Sequence, residues 1–206
     1  MTTIIENPLF GNVYMSLLIS NSVNGGTVLE GYKKLGDRGA ELIATMRQIA
    51  APKNSSEAHR LQPSETYYEW YRYINGEAVE NGTTTENNFG ETNFPGYDRS
   101  IITGGTYIPP FIDIKACTKF ISILIAMNGA DQDGSLSNQI AADMSGSASL
   151  SFENMMKYMH DSTSDLVSGI EGVQHLAKSV IISSSDGAAV TQGWVRAGGG
   201  ESSLDI

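Results

Sequence analysis

The sequence predicts a mainly α-helical single domain, in which long N- and C-terminal helices pack as a coiled coil. Two apolar patterns and one shift in composition predict this fold. Apolar or small residues recur at alternating spacings of four and three over 14–50, which is the spacing of a coiled-coil seam. Over 135–182 apolar or small residues first recur every four positions and then, from Phe152 to Val180, alternate in the same way. Between these stretches, residues 76–110 lose that periodicity and become rich in Gly, Asn and Thr.

The first helix is predicted over residues 14–50, with its seam facing a partner helix. The N-terminal seam residues are Val28, Tyr32, Leu35, Leu42, Met46 and Ile49. Gly25 and Gly26 form a flexible point in this helix, because each glycine in a helix interior costs about 1 kcal/mol relative to alanine. Pro52 ends the segment, since proline disfavours helical geometry in the residue before it.

A short aromatic helix is predicted over residues 63–75. Pro63 and Ser64 are typical of a helix start, and Asn75-Gly76 is typical of a helix end. Four residues of this helix face one way, and these are Tyr67, Trp70, Tyr71 and Ile74. A strand is the alternative, because aromatic residues also favour sheets. Such a cluster belongs to a core or an interface more often than to a sugar or cofactor platform.

The composition and the apolar periodicity change twice in the middle of the chain. Residues 76–110 are predicted to be a variable, irregular segment, in which 99–103 and 106–108 could pair as short strands. Residues 112–127 then return to a helical pattern with a wide apolar face. Cys117 lies on that face, so a buried, inert thiol is the favoured interpretation.

The last helix is predicted over residues 135–183, followed by a flexible tail over 184–206. Its seam residues are Phe152, Met155, Met159, Leu166, Ile170, Val173, Leu176 and Val180. A helix of this length would extend about 72 Å. A compact domain of this size has a radius of gyration of only about 17 Å, so the helix must pack against something extended.

The charge balance excludes several classes of function. Thirteen Lys and Arg against 23 Asp and Glu give a formal net charge of −10. Residues 120–206 contain only Lys157, Lys178 and Arg196 as basic residues. Nucleic-acid binding needs clustered basic side chains, so no nucleic-acid partner is expected. The longest apolar run, residues 120–127, is too short to span a bilayer, and no basic segment precedes an apolar signal-peptide core.

No motif indicates catalysis, a cofactor or a metal. One cysteine and three scattered histidines cannot form a Cys/His metal cluster. Residues 131–135 lack the third ligand and the closing Glu of a calcium loop, so they are interpreted as a helix cap. The chain is therefore predicted not to be an enzyme; Glu65, Glu69 and His59 would be the first catalytic candidates if it were one.

The order of these elements resembles a known family. The layout consists, in order, of an N-terminal seam helix (14–50), a proline-bounded link, a short element ending in Tyr73-Ile74-Asn75-Gly76, a helix start at Ile114-Lys115-Ala116 and a C-terminal seam (135–182). This layout is similar to that of the EspA/SseB type of translocon filament protein of type III secretion systems. This resemblance implies a secreted, extracellular, non-enzymatic subunit that polymerises into a helical conduit. It also implies an export chaperone and a secretion needle as partners.

The residues themselves favour self-assembly but no particular machine. Seams too long for one small chain to cover are completed by neighbouring copies, and head-to-tail contacts that do not close generate filaments. The principal hypothesis is therefore a homopolymer held by the two seams. The alternatives are a tip or adhesin-like binding module that does not polymerise, and a structural protein of a virion.

Overall fold

The chain consists of short strands and short helices in two compact units. The computed structural model describes residues 5–21, 25–49, 62–82, 98–111, 119–126, 140, 143–144, 151–161, 163–167, 170, 172–183 and 204–205. Unit 1 comprises Met1–Arg60 and Thr66–Pro110, and unit 2 comprises Leu61–Glu65 and Phe111–Ile206.

Unit 1 contains an antiparallel pair of strands, one helix and, from Thr66 onward, most of a second helix. Strand β1 (Tyr14–Ser20) pairs with β2 (Gly26–Lys34), from Tyr14 opposite Lys34 to Ser20 opposite Gly26. Helix α1 (Leu35–Gln48) follows β2 directly, and helix α2 (Pro63–Asn75) comes next in the chain. A small hairpin of β3 (Ile102–Thr103) and β4 (Thr106–Tyr107) completes the unit.

The core of unit 1 lies between α1 and the first strand. Leu35, Leu42 and Ile43 of α1 are buried with Ile5, and Met15, Leu17 and Met46 pack against this cluster. Strand β2 also lies close to α2, because a Cβ atom on Gly26 would come within 2.6 Å of the Cα atom of Thr66. Both faces of β2 are therefore covered over its first six residues.

The described residues of unit 2 form a parallel sheet and a helix of nine residues, and Ile140, Asp143 and Met144 are also helical. Strand β5 (Phe120–Ala126) pairs in parallel with β6 (Leu176–Ser183), which pairs in parallel with the two-residue β7 (Leu204–Asp205). Helix α3 (Phe152–His160) lies between β5 and β6 in sequence, and its N-cap Ser151 accepts a hydrogen bond from the Asn154 N–H at 3.2 Å. The buried residues of α3 are Phe152, Met155, Met156 and Met159.

The prediction of a mainly α-helical coiled coil is wrong. The segment 14–50 forms β1, β2 and α1 instead of one helix, and the segment 112–127 contains β5. The segment 135–183 contains a helix of nine residues, α3, and then the strand β6. Spacings of four and three place apolar residues at both odd and even positions. A strand that is buried on both faces, such as β2, therefore gives the same apolar pattern as a heptad seam.

Two local predictions are confirmed. The aromatic helix α2 begins at Pro63 and ends at Asn75, as the start and stop signals indicate. Ile102–Thr103 pairs with Thr106–Tyr107 as a short antiparallel hairpin, within the two stretches expected to form strands. Local capping and turn residues specified these two elements, and they did not depend on the period of the seam.

Several other predictions fall outside the described residues. They concern Pro52, His59, Cys117 and the loop 131–135. Of the predicted flexible tail, residues 204–205 are described, and they form β7. Within the described ranges, no helix is both long enough and apolar enough to cross a membrane.

Candidate functional site

The residues predicted to drive assembly lie mostly inside the two units. Eight are buried, namely Val28, Leu35, Leu42, Phe152, Met155, Met159, Leu166 and Leu176. Four are half-buried, namely Tyr32, Met46, Ile49 and Ile170. Val173 is 49% exposed, and the side chain of Val180 lies outside the described part. The buried members are already covered within one chain, so their role in assembly stays a prediction that this geometry does not favour.

An ion-pair cluster joins β2 and α1 in unit 1. The Lys33 ammonium lies 2.5 Å from Glu30, 3.1 Å from Glu41 and 3.5 Å from Asp98. Arg38 pairs with Glu41 through two guanidinium nitrogens. Burial opposes the charge of Lys33, but its hydrogen bonds to Glu30 and Glu41 outweigh burial and raise its pKa. The cluster fixes the start of α1 against β2 and leaves no carboxylate in it without a cation.

Acid will weaken this cluster in a defined pH range. The hydrogen bond from Arg38, followed by that from Lys33, lowers the pKa of Glu41 from 4.5 to about 2. A carboxyl whose pKa falls on folding stabilises the fold above the unfolded-state value, and this stabilisation is lost as pH drops. We expect Glu41→Gln to reduce the urea midpoint at pH 7 and to differ less from wild type as pH falls from 4.5 to about 2.

Asp37→Asn is the matched control for the pH experiment, because Asp37 lies on the same helix in an exposed, 3.9 Å pair with Lys34. Its urea midpoint should follow that of wild type across the same pH range. A constant difference between Glu41→Gln and wild type from pH 7 to pH 2 would contradict the role given to Glu41.

Tyrosines from three elements pack together in unit 1. Tyr32 of β2 stacks on Tyr73 of α2 with ring centroids 6.1 Å apart, and Tyr107 of β4 meets Tyr73 edge-on at 5.4 Å. The Trp70 indole donates a hydrogen bond to the Tyr32 hydroxyl at 3.0 Å, and the Tyr73 hydroxyl accepts one from the Tyr32 N–H at 3.0 Å. Burial raises the pKa of Tyr73 to about 12, so this cluster stays neutral and is structural.

A buried carboxylate on α2 holds the chain that follows the helix. Glu69 is 1% exposed and accepts hydrogen bonds from the Asn81 N–H at 2.9 Å, the Glu80 N–H at 3.2 Å and the Tyr107 hydroxyl at 2.6 Å. Burial raises the pKa of Glu69, although all three donors favour its charged form. Gly82 closes the site, since a Cβ atom there would lie 2.3 Å from the Tyr107 hydroxyl oxygen.

Of the three catalytic candidates, two lie in the part of the chain that the structure describes. Glu65 and Glu69 are both buried, and the three donors to Glu69 are all groups of the protein. His59 lies outside the described part. Among the residues that the structure describes, no three His, Cys, Asp or Glu side chains are grouped so that they could hold a metal ion. Glu69 is therefore best explained as a structural carboxylate.

Strand β5 presents apolar side chains to solvent on one of its faces. Ile121, Ile123 and Ile125 are 64%, 46% and 56% exposed, whereas Ser122 and Leu124 between them are half-buried. Successive side chains of a strand point to opposite faces, so the three isoleucines form one stripe, which we call the β5 stripe. Within the described sheet β5 is an edge strand, because it pairs with β6 alone.

A second exposed apolar region lies near the start of unit 1. Leu9 and Phe10 belong to a 3-10 turn (Pro8–Phe10), and Val13 and Tyr14 follow at the beginning of β1. Leu9 is 87% exposed, and the other three side chains are between 40% and 52% exposed. We call these four residues the N-terminal patch. Contiguous exposed apolar residues are typical of sites that bind another molecule.

Sequence reasoning missed both surfaces. It assigned Ile121 and Ile125 to the apolar face of a helix, and it did not consider Leu9 and Phe10. One signal could have found the β5 stripe, namely a β-branched residue at every second position from Ile121 to Ile125. The N-terminal patch has no such periodic signal, because its residues fall in a turn and a strand start.

Comparison of the chain with protein-family models, with curated proteins and with solved structures found no match.

Proposed function

We propose that this protein is a non-catalytic structural subunit that assembles with copies of itself through the β5 stripe and the N-terminal patch. The observation that carries the proposal is the β5 stripe, three exposed isoleucines on an uncharged edge strand. Natural proteins normally protect such an edge with lysine, proline or a covering segment, because it pairs readily with another chain. The proposal keeps the self-assembly inferred from the sequence and changes the surface that performs it.

Two separate surfaces favour a polymer over a closed dimer. The β5 stripe and the N-terminal patch consist of different residues, the first in unit 2 and the second in unit 1. A subunit that makes two independent contacts can add further copies without closing. The narrower hypothesis of a secreted type III conduit depended on long paired helices. The described residues form short strands and helices instead, so we propose assembly without that conduit.

A charge placed in the β5 stripe should prevent assembly. Ile123→Lys replaces an apolar side chain at the centre of the contact by an ammonium group, and where two copies of β5 meet, the two ammonium groups repel each other. We expect wild type to sediment as larger species with increasing concentration, and Ile123→Lys to need at least about tenfold more protein, which corresponds to about 1.4 kcal/mol. Sedimentation velocity over a hundredfold concentration range measures this, and negative-stain electron microscopy shows whether the large species are polymers.

Asn154→Lys is the matched control, because it adds the same charge at an exposed position of α3 in the same unit. It should assemble like wild type. Leu9→Lys, in the N-terminal patch, should stop growth at a small oligomer while contact through β5 persists. Wild type that stays one small species at every concentration would overturn the proposal and favour the non-polymerising binding module.

A further inference from the structure

Within the described residues, the edge of β5 shows none of the usual protections against pairing with another strand. Its sequence, Phe-Ile-Ser-Ile-Leu-Ile-Ala, contains no charge, no proline and no glycine over Phe120–Ala126. In the described sheet only β6 borders it, so half of its backbone N–H and C=O groups face away from that neighbour. These groups need a partner with the same spacing, which another strand provides.

We propose that β5 pairs with β5 of a second copy, antiparallel, about a two-fold axis that passes between the Ile123 residues of the two copies. The two described sheets then join into one sheet of six strands. This inference deepens the proposed function, because it assigns the pairing geometry of one of its two contacts.

Hydrogen-bond geometry limits the registers open to two identical edges. On one edge of a strand, the outward backbone groups belong to every second residue. In both copies these are the same residues, so an odd-numbered residue can face only an odd-numbered one. All allowed registers therefore place the β5 stripes of both copies on the same face of the joined sheet.

Among the allowed registers, the one centred on Ile123 pairs the whole strand. It places Ile121 opposite Ile125 of the second copy, and Phe120 opposite Ala126. Moving the centre to Ser122 would bring the exposed Lys119 opposite Ile125. Moving it to Leu124 would leave Phe120 without an opposite residue in β5. The stripe Ile-x-Ile-x-Ile is symmetric about Ile123, so this register also opposes isoleucine with isoleucine throughout.

Charge indicates why the partner is a second copy. The chain carries a net charge of −10, so two copies repel over most of their surfaces. Strand β5 is uncharged, and the exposed charged residues next to it in the described sheet are two lysines, Lys119 and Lys178. Acidic copies therefore meet least repulsion where an uncharged strand faces an uncharged strand, as happens when β5 pairs with β5.

Cysteine cross-linking tests the register directly, in a Cys117→Ser background that removes the native thiol. Two residues directly opposite each other in an antiparallel pair, such as the two copies of Ile123, have Cα atoms about 4.5 to 5.5 Å apart. A disulfide can bridge this distance. Ile123→Cys should therefore shift from a monomer band to a dimer band on a non-reducing gel after mild oxidation. Ile121→Cys alone should not, because its two copies would lie more than about 13 Å apart.

A mixture of two cysteine variants completes the test of the register. An equal mixture of Ile121→Cys and Ile125→Cys should form a mixed disulfide, since these positions face each other in the proposed register. Cross-linking of Ile121→Cys with itself, but not of Ile123→Cys, would overturn the register.

Sedimentation of the same samples separates the two proposals. If Ile123→Cys associates but does not cross-link, the pairing is overturned and the proposed function stands. If both Ile123→Cys and wild type remain monomers at every concentration, the pairing and the proposed function are both overturned.

Discussion

Replacing Leu42 by Asp will unfold unit 1 and lower its free energy of unfolding by more than about 4 kcal/mol. Leu42 is fully buried in the cluster that α1 forms with Ile5, Leu35 and Ile43. The substitution removes an apolar side chain from this cluster and places a carboxylate where no cation is within the cluster to pair with it. Urea titration followed by circular dichroism and by tryptophan fluorescence measures the loss.

Ala44→Asp is the matched control for Leu42→Asp. Ala44 is exposed on the same helix, so the same new side chain meets water there, and only the lower helix propensity of Asp remains, about 0.6 kcal/mol. If the Leu42→Asp protein folded normally and only failed to assemble, the core position of Leu42 would be contradicted. Leu42 would then belong to a seam between copies of the chain.

Replacing Glu69 by Ala will cost about 3 kcal/mol of unfolding free energy. The substitution leaves the N–H groups of Glu80 and Asn81 and the hydroxyl of Tyr107 without their acceptor. Buried donors that lose a partner bear their full desolvation cost, which exceeds the net value of the hydrogen bonds. The urea midpoint and its slope, compared with wild type at pH 7, measure the effect.

Two further variants identify the cause of the Glu69 effect. Tyr107→Phe removes one donor together with its need for an acceptor, so it should cost about 1 kcal/mol. Glu80→Ala keeps the backbone N–H and loses only a 3.8 Å surface ion pair with Arg72, so it should change stability by less than about 0.5 kcal/mol. An effect of Glu69→Ala no larger than that of Glu80→Ala would contradict the structural role of the carboxylate.

Helix α2 shows what local sequence can specify. Pro63 at the start and Asn75-Gly76 at the end fix both of its bounds, and Gly76 has a φ of 68°, which glycine adopts without strain. The hairpin of β3 and β4 is similar, because Gly104 and Gly105, both with positive φ, turn the chain between two short β-prone stretches. In these elements the deciding residues lie within a few positions of each other.

The seam segments show where local reasoning fails. A spacing of four and three cannot distinguish a helix with one buried face from strands buried on both faces, and tertiary packing decides between them. Glu30 illustrates this, since it is buried in β2 with Lys33 and Thr45 as partners. The role of Glu69 was also beyond local reasoning, because its partner Tyr107 lies far along the chain.

The parallel pairing of β5 with β6 has a consequence for synthesis of the chain. Phe120 pairs with Leu176, so β5 leaves the ribosome well before the strand that will border it has been made. At the usual pace of translation, this interval lasts roughly 3 to 11 seconds. During that time β5, the most isoleucine-rich of the described strands, is exposed on both edges. We therefore expect nascent chains to recruit holdase chaperones at this segment. We also expect yields to improve when slower growth leaves fewer unfinished chains together.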